Sequence, residues 1–169
     1  RVMSRSGRGG DGEDVGLRGV IQAQHGDYRS WKDEHSPATW RHTPRSAARC
    51  TILVKRWQFA PDERTQFRKG RSEGLAPFSD GVRSAVLHRD ARETVRNFEL
   101  DPGAALQVDE LGGIEVFVLS GELMEGGESL RQGSWLRLPE KQIFAAQAGQ
   151  GGAKLWMKTG HLRFVAAPS

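Results

Sequence analysis

The residues of this chain that could do chemistry fall into two groups. His25, His35 and His42 lie close together in "HGDYRSWKDEHSPATWRHTPRS", and Asp109, Glu110 and Glu115 surround the glycines of "VDELGGIE". Imidazole and carboxylate together are the donor set that suits Fe(II), Zn, Mn or Ni. Their placement argues against it. His25 belongs to a turn and His35 to a loop-like segment, so a site built from His25, His35 and His42 would be improvised. Asp109, Glu110 and Glu115 could form an oxygen-only site, but no neutral nitrogen ligand accompanies them. They read as surface carboxylates of a hairpin.

Other chemistries have less support. Cys50 is the one cysteine, which excludes an internal disulfide and a multi-cysteine zinc site. It stands at the mouth of a strand in "ARCTILVK" and reads as a buried structural thiol. No phosphate-binding or dinucleotide glycine loop is present, nor a GxSxG nucleophile elbow; "RGGDG" and "EGGE" are glycine turns. The chain is basic, with a pI near 9.6. Its positive excess lies in residues 1–100, as single arginines scattered among acids, which is a solvated surface rather than a nucleic-acid footprint.

The elements that must position these groups are short strands. The 169 residues suffice for one domain with a core or for two small barrels. Plentiful glycine with modest apolar content suits a turn-rich β protein. No apolar run approaches the ~20 residues needed to span a bilayer, and the polar start lacks the apolar segment of a secretory signal, so a cytoplasmic protein is expected. Residues 1–16 read as a disordered tail. "CTILVKRWQF" is the strongest strand of the first half. From "ETVRNFEL" onward, "IEVFVLSGEL", "SLRQGSWLRLP", "KQIFAAQAG" and "AKLWMKTGHLRFV" are strands separated by glycine turns, the pattern of an antiparallel sandwich or barrel. "SDGVRSAVLHRDARETV" is a weak helix candidate.

An internal repeat organises these strands. "GVIQAQHGDYRSW" and "ARCTILVKRWQF" in the first half parallel "GELMEGGESLRQGSW" and "GAKLWMKTGHL" in the second. Each repeat ends in a strand that holds one lysine, Lys55 or Lys158. The boundaries expected are a first unit over 17–66, a linker over 67–82 and a second unit over 83–169.

On these residues the chain resembles the cupin superfamily, specifically bicupins with ChrR-type cupin domains. "GGIEVFVLSGEL" resembles that family's strand pair "GGEExxVLEG", and "GSWLRLP" its "GSWLRxP". "HGDY" resembles its hairpin turn, and "RHTPRSAARCTILVK" its "RHTPxSxxGCTxxVK". The resemblance implies an all-β fold, the double-stranded β-helix, in two tandem units of which the first is truncated. It also implies a divalent metal held by His-x-His, a glutamate four residues after the second His, and a further His on a later strand. In the second unit these positions fall on Val108, Glu110, Ile114 and Phe144, and Glu115 should point to the opposite face. In the first unit only His42 stands at a ligand position.

The resemblance and its departures together imply a ChrR-like cupin with a degenerate metal site, a non-catalytic module for small-molecule binding or stress sensing. Trp135, Trp156, Phe117 and Met157 are candidates for its cavity walls, although strand aromatics usually pack as core. The alternative is a metal-dependent cupin dioxygenase or isomerase using zinc or iron around His42. The anti-sigma zinc module of ChrR proteins is not recognisable here. The resemblance allows a homodimer through barrel edges, whereas membrane and nucleic acid are not expected partners.

Overall fold

The computed structural model describes residues 12–18, 20–23, 26–29, 32–36, 51–56, 67–70 and 73–164. The chain divides into two compact units, Arg1–Arg71 and Ser72–Ser169. Among the described residues no helix is long and apolar enough to cross a membrane.

The first unit contains β1 (Gly12–Arg18), β2 (Val20–Ala23), β3 (Gly26–Arg29), β4 (Lys32–Ser36), β5 (Thr51–Arg56) and β6 (Phe67–Gly70). β5, β1, β4 and β6 form one sheet in that order, and β2 pairs with β3 as a hairpin. Every pairing is antiparallel. β1 begins inside the polar stretch expected as a tail, and β6 lies in the stretch expected as linker. His35 is on strand β4, between Glu13 of β1 and Phe67 of β6, and not in a loop. These segments are polar, but a ladder is bonded through backbone N–H and C=O groups that every such sequence carries. His25, His42 and Cys50 lie outside the described residues.

The second unit contains β7 (Ala76–Ser79), β8 (Val82–Arg89), β9 (Thr94–Leu100), β10 (Ala105–Asp109), β11 (Ile114–Glu125), β12 (Glu128–Arg131), β13 (Trp135–Leu138) and β14 (Ile143–Thr159). The weak helix candidate is instead the β8–β9 hairpin, paired from Val82 with Leu100 to Arg89 with Thr94. Val82 and Val86 on β8 and Thr94 and Val95 on β9 favour that outcome.

β11 and β14 are long, pair with each other, and each serves two further ladders. The start of β11 pairs with β13 and its end with β12. The start of β14 pairs with β10 and its end with β9. Both strands turn a corner at Gly121 and Gly152, whose φ angles of 79° and 70° suit glycine. A Cβ on Gly121 would overlap the Gly152 carbonyl oxygen, so glycine permits the close approach that bends the sheet. One apolar cluster joins the two ends, with Leu106, Leu123 and Phe144 from one and Phe98, Val116 and Met157 from the other. The result is the expected all-β jelly-roll barrel.

Candidate functional site

Three of the four positions where the resemblance puts metal ligands in the second unit face this apolar interior. Val108 pairs with Phe144 across the β10–β14 ladder, and Val108 packs against the cluster that contains Phe144 and Ile114. Ile114 and Phe144 are both fully buried. Glu110 is exposed in the turn after β10, where its carbonyl accepts a hydrogen bond from Gly113 N at 3.3 Å. Hydrocarbon at three of the four positions offers a divalent ion no donor, so these residues do not fit the metal that the family pattern implies. Among the described residues no cluster of three His, Cys, Asp or Glu side chains could hold a metal ion. Asp109 and Glu110 are exposed while Glu115 is buried, and the oxygen-only site is not formed.

Glu115 does point away from the interior, but it is not a surface carboxylate. It is 1% exposed. Its Oε1 accepts from Trp135 Nε1 at 2.7 Å, and its Oε2 lies 2.8 Å from His161 Nε2. Arg137 Nη2 approaches Oε2 at 3.9 Å. Register explains the gathering. Arg137 and Lys158 are the direct partners of Glu115 on the flanking strands, so their side chains share its face. Lys158, with a side chain 0% exposed, makes a 2.9 Å ion pair with Glu93. Buried charges at such positions must be paired, and these are.

The hairpin glycines hold this layer together. Gly113 O accepts from Gly160 N at 2.9 Å, and Gly112 O accepts from Leu162 N at 3.0 Å. A Cβ on Gly112 would meet Gly160 O at 2.6 Å, so only glycine lets the two segments close. The clasp places a short 3-10 helix, His161–Phe164, so that His161 reaches Glu115. At the other side, Asp90 Oδ1 accepts from Arg92 N at 2.7 Å and Glu93 N at 2.8 Å, which fixes the turn that presents Glu93 to Lys158. Burial pushes the Asp90 pKa up, but the Arg92 and Glu93 amides and His88 outweigh it, and the net shift is downward.

The aromatic wall candidates are redistributed by the same alternation. Met157 lies in the interior cluster. Phe117 is paired with Trp156 and Trp135 and shares the Glu115 face. Trp156 is fully buried there, whereas Trp135 is 59% exposed with Arg137 against its ring at 5.1 Å. His161 and Glu93 were not legible as site residues. Lys158 carried a signal, as a lone charge inside the apolar run "LWMKT".

The model of one protein family, described as the ChrR cupin-like domain, matches residues 71–163, more than half of the chain. The chain belongs to the ChrR cupin-like family. The match lies on the second unit, so membership rests there and not on a tandem pair of cupins. No curated protein matches the sequence. Among solved structures, a candidate dioxygenase from Nostoc punctiforme aligns with a TM-score of 0.69 at 15% identity, over 95% of this chain and 67% of that one. Protein YlbA from E. coli aligns with a TM-score of 0.68 at 13% identity, over 96% and 72%. An acetylacetone dioxygenase from Acinetobacter johnsonii aligns with a TM-score of 0.50 at 13% identity, over 61% and 80%. At these identities the likeness to this ChrR cupin-like chain is one of fold.

Proposed function

We propose that this ChrR cupin-like chain is a non-catalytic module whose second barrel binds a small molecule without a metal, in a stress-sensing or ligand-sensing role. The observation that carries the reading is the burial of Ile114 and Phe144 at two metal-ligand positions, with Val108 paired to Phe144 at a third. Hydrocarbon at those positions gives up Lewis-acid chemistry and leaves apolar contact as the means of holding a ligand. The first unit is, in this reading, a reduced cupin, a proposal supported by the internal repeat and by whole-chain alignment to the candidate dioxygenase.

A second reading is a metal-dependent dioxygenase or isomerase around His42. It draws on His42 at the later-histidine position of the first unit and on two structural neighbours described as dioxygenases. Elemental analysis of the purified wild-type protein and of His42→Ala separates the two. Well under one equivalent of metal in both samples supports the non-catalytic module. About one equivalent in the wild type, lost in His42→Ala, establishes the metal site and overturns it.

A further inference from the structure

Arg96 is a cation on the inner face of the barrel. On β9 it is the ladder partner of Met157, which belongs to the interior cluster, so alternation turns both side chains to the same side. Across the other ladder it is paired with Val86. Other arginines of this unit have carboxylates: Arg83 lies 3.1 Å from Asp101 and Arg131 3.2 Å from Glu122. Among the described residues no carboxylate comes within ion-pair distance of Arg96. Its hydrogen bond there is a long one, 3.4 Å from Nη1 to Ser84 Oγ. A guanidinium carries five N–H donors in a fixed fork, and most of this one is uncommitted.

Its surroundings are those of a ligand contact. The guanidinium lies 5.8 Å from the centroid of Phe78, and Phe78 stands edge-on to Phe98 with ring centroids 5.1 Å apart. Phe98 is buried in the interior cluster, while Phe78 is 43% exposed and Val86 36%, which places an apolar rim beside the cation. Burial lowers the Arg96 pKa, the Arg89 charge adds to the effect, and Glu110 opposes it. Burial thus disfavours the charge of Arg96 where it stands, and a bound anion would relieve that cost.

We propose that the mouth of the second barrel binds a small monocarboxylate with an apolar or aromatic body, its carboxylate on Arg96 and Ser84 and its body against Phe78 and Val86. The planar guanidinium fork matches a carboxylate in two parallel hydrogen bonds. The inference rests on the non-catalytic, ligand-binding reading and deepens it, giving Arg96 the anchoring role that a metal has in other cupins.

Benzoate and its neutral isostere benzamide are the probes, titrated into the full chain and followed by amide chemical shifts. Benzoate is expected to bind about ten-fold or more tightly than benzamide, the worth of one charge-assisted hydrogen-bonded pair, and to move the signals of Phe78, Ser84 and Arg96. Arg96→Gln should abolish the preference. Glu110→Gln, an exposed change that leaves the core untouched, should tighten benzoate by roughly two-fold or more by removing a repelling charge. Equal binding of the two probes, or a preference that survives Arg96→Gln, overturns the carboxylate site while leaving a ligand-binding barrel. Absence of benzoate binding up to tens of millimolar also overturns it. Failure of the underlying reading registers separately, as about one equivalent of bound metal in the same samples.

Discussion

Glu115 Oε2 and His161 Nε2 lie 2.8 Å apart, joining the metal-hairpin strand β11 to the 3-10 turn near the end of the described chain. The contact is buried on both sides, with side chains 1% and 10% exposed. A strand that in other cupins faces a metal on one side therefore carries its polar chemistry on the other. The hairpin glycines that mark the family serve that second face here, because Gly112 and Gly113 accept the amides that fix His161 in place.

Loss of the Glu115 carboxylate should therefore be felt as stability. Glu115→Ala removes two hydrogen bonds in one step and is expected to cost about 2–4 kcal/mol. Trp135→Phe removes one bond at a half-open ring and should cost about 1 kcal/mol or less. Urea unfolding midpoints measure both, and a Glu115→Ala protein within about 0.5 kcal/mol of wild type would show that the layer does not hold the turn.

Lys158 and Glu93 form the second buried pair, and breaking it should be worse than deleting it. Lys158→Met leaves the Glu93 carboxylate buried without its ion-pair partner and is expected to cost about 3–5 kcal/mol. Lys158→Met combined with Glu93→Gln should be less destabilised than Lys158→Met alone. A double variant equal to the sum of the two single ones, measured in one unfolding cycle, would show that the pair is not coupled.

How much of this was legible depends on which face of a strand is considered. The interior positions followed from the family resemblance, which put its ligand places on Val108, Ile114 and Phe144; these are apolar here, and the barrel buries them or packs them against its core. Glu115 reads from sequence as a surface carboxylate because alternation normally gives a strand one wet face, whereas both faces of β11 are covered from Ile114 to Leu119. His161 could not be placed from sequence, since it reaches Glu115 through a glycine clasp more than forty residues away. Arg96 was hidden in plain alternation, as "ETVRNFEL" gives no sign of which polar residue turns inward.

Asp90 should make stability depend on pH below the usual carboxylate range. Its folded pKa lies below the ordinary value of 3.8, so its contribution is fully present above that value and is lost as pH falls through the folded pKa. Asp90→Asn is expected to be less stable than wild type at pH 7 by about 1 kcal/mol or less, given its partial exposure. The gap should persist down to about pH 5 and close below the ordinary value. Thermal unfolding across that range checks it, and a gap that widens on acidification would contradict the assignment.

The barrel of the second unit has hydrocarbon, at Val108, Ile114 and Phe144, where the cupin pattern places metal ligands. Anomalous diffraction from crystals soaked in zinc or iron, recorded at the absorption edge of each metal, tests it most directly. No anomalous peak is expected among Val108, Ile114 and Phe144, with the three side chains packed against one another. A peak at that position, within bonding distance of Glu110 or of any other donor that turns inward, would contradict it.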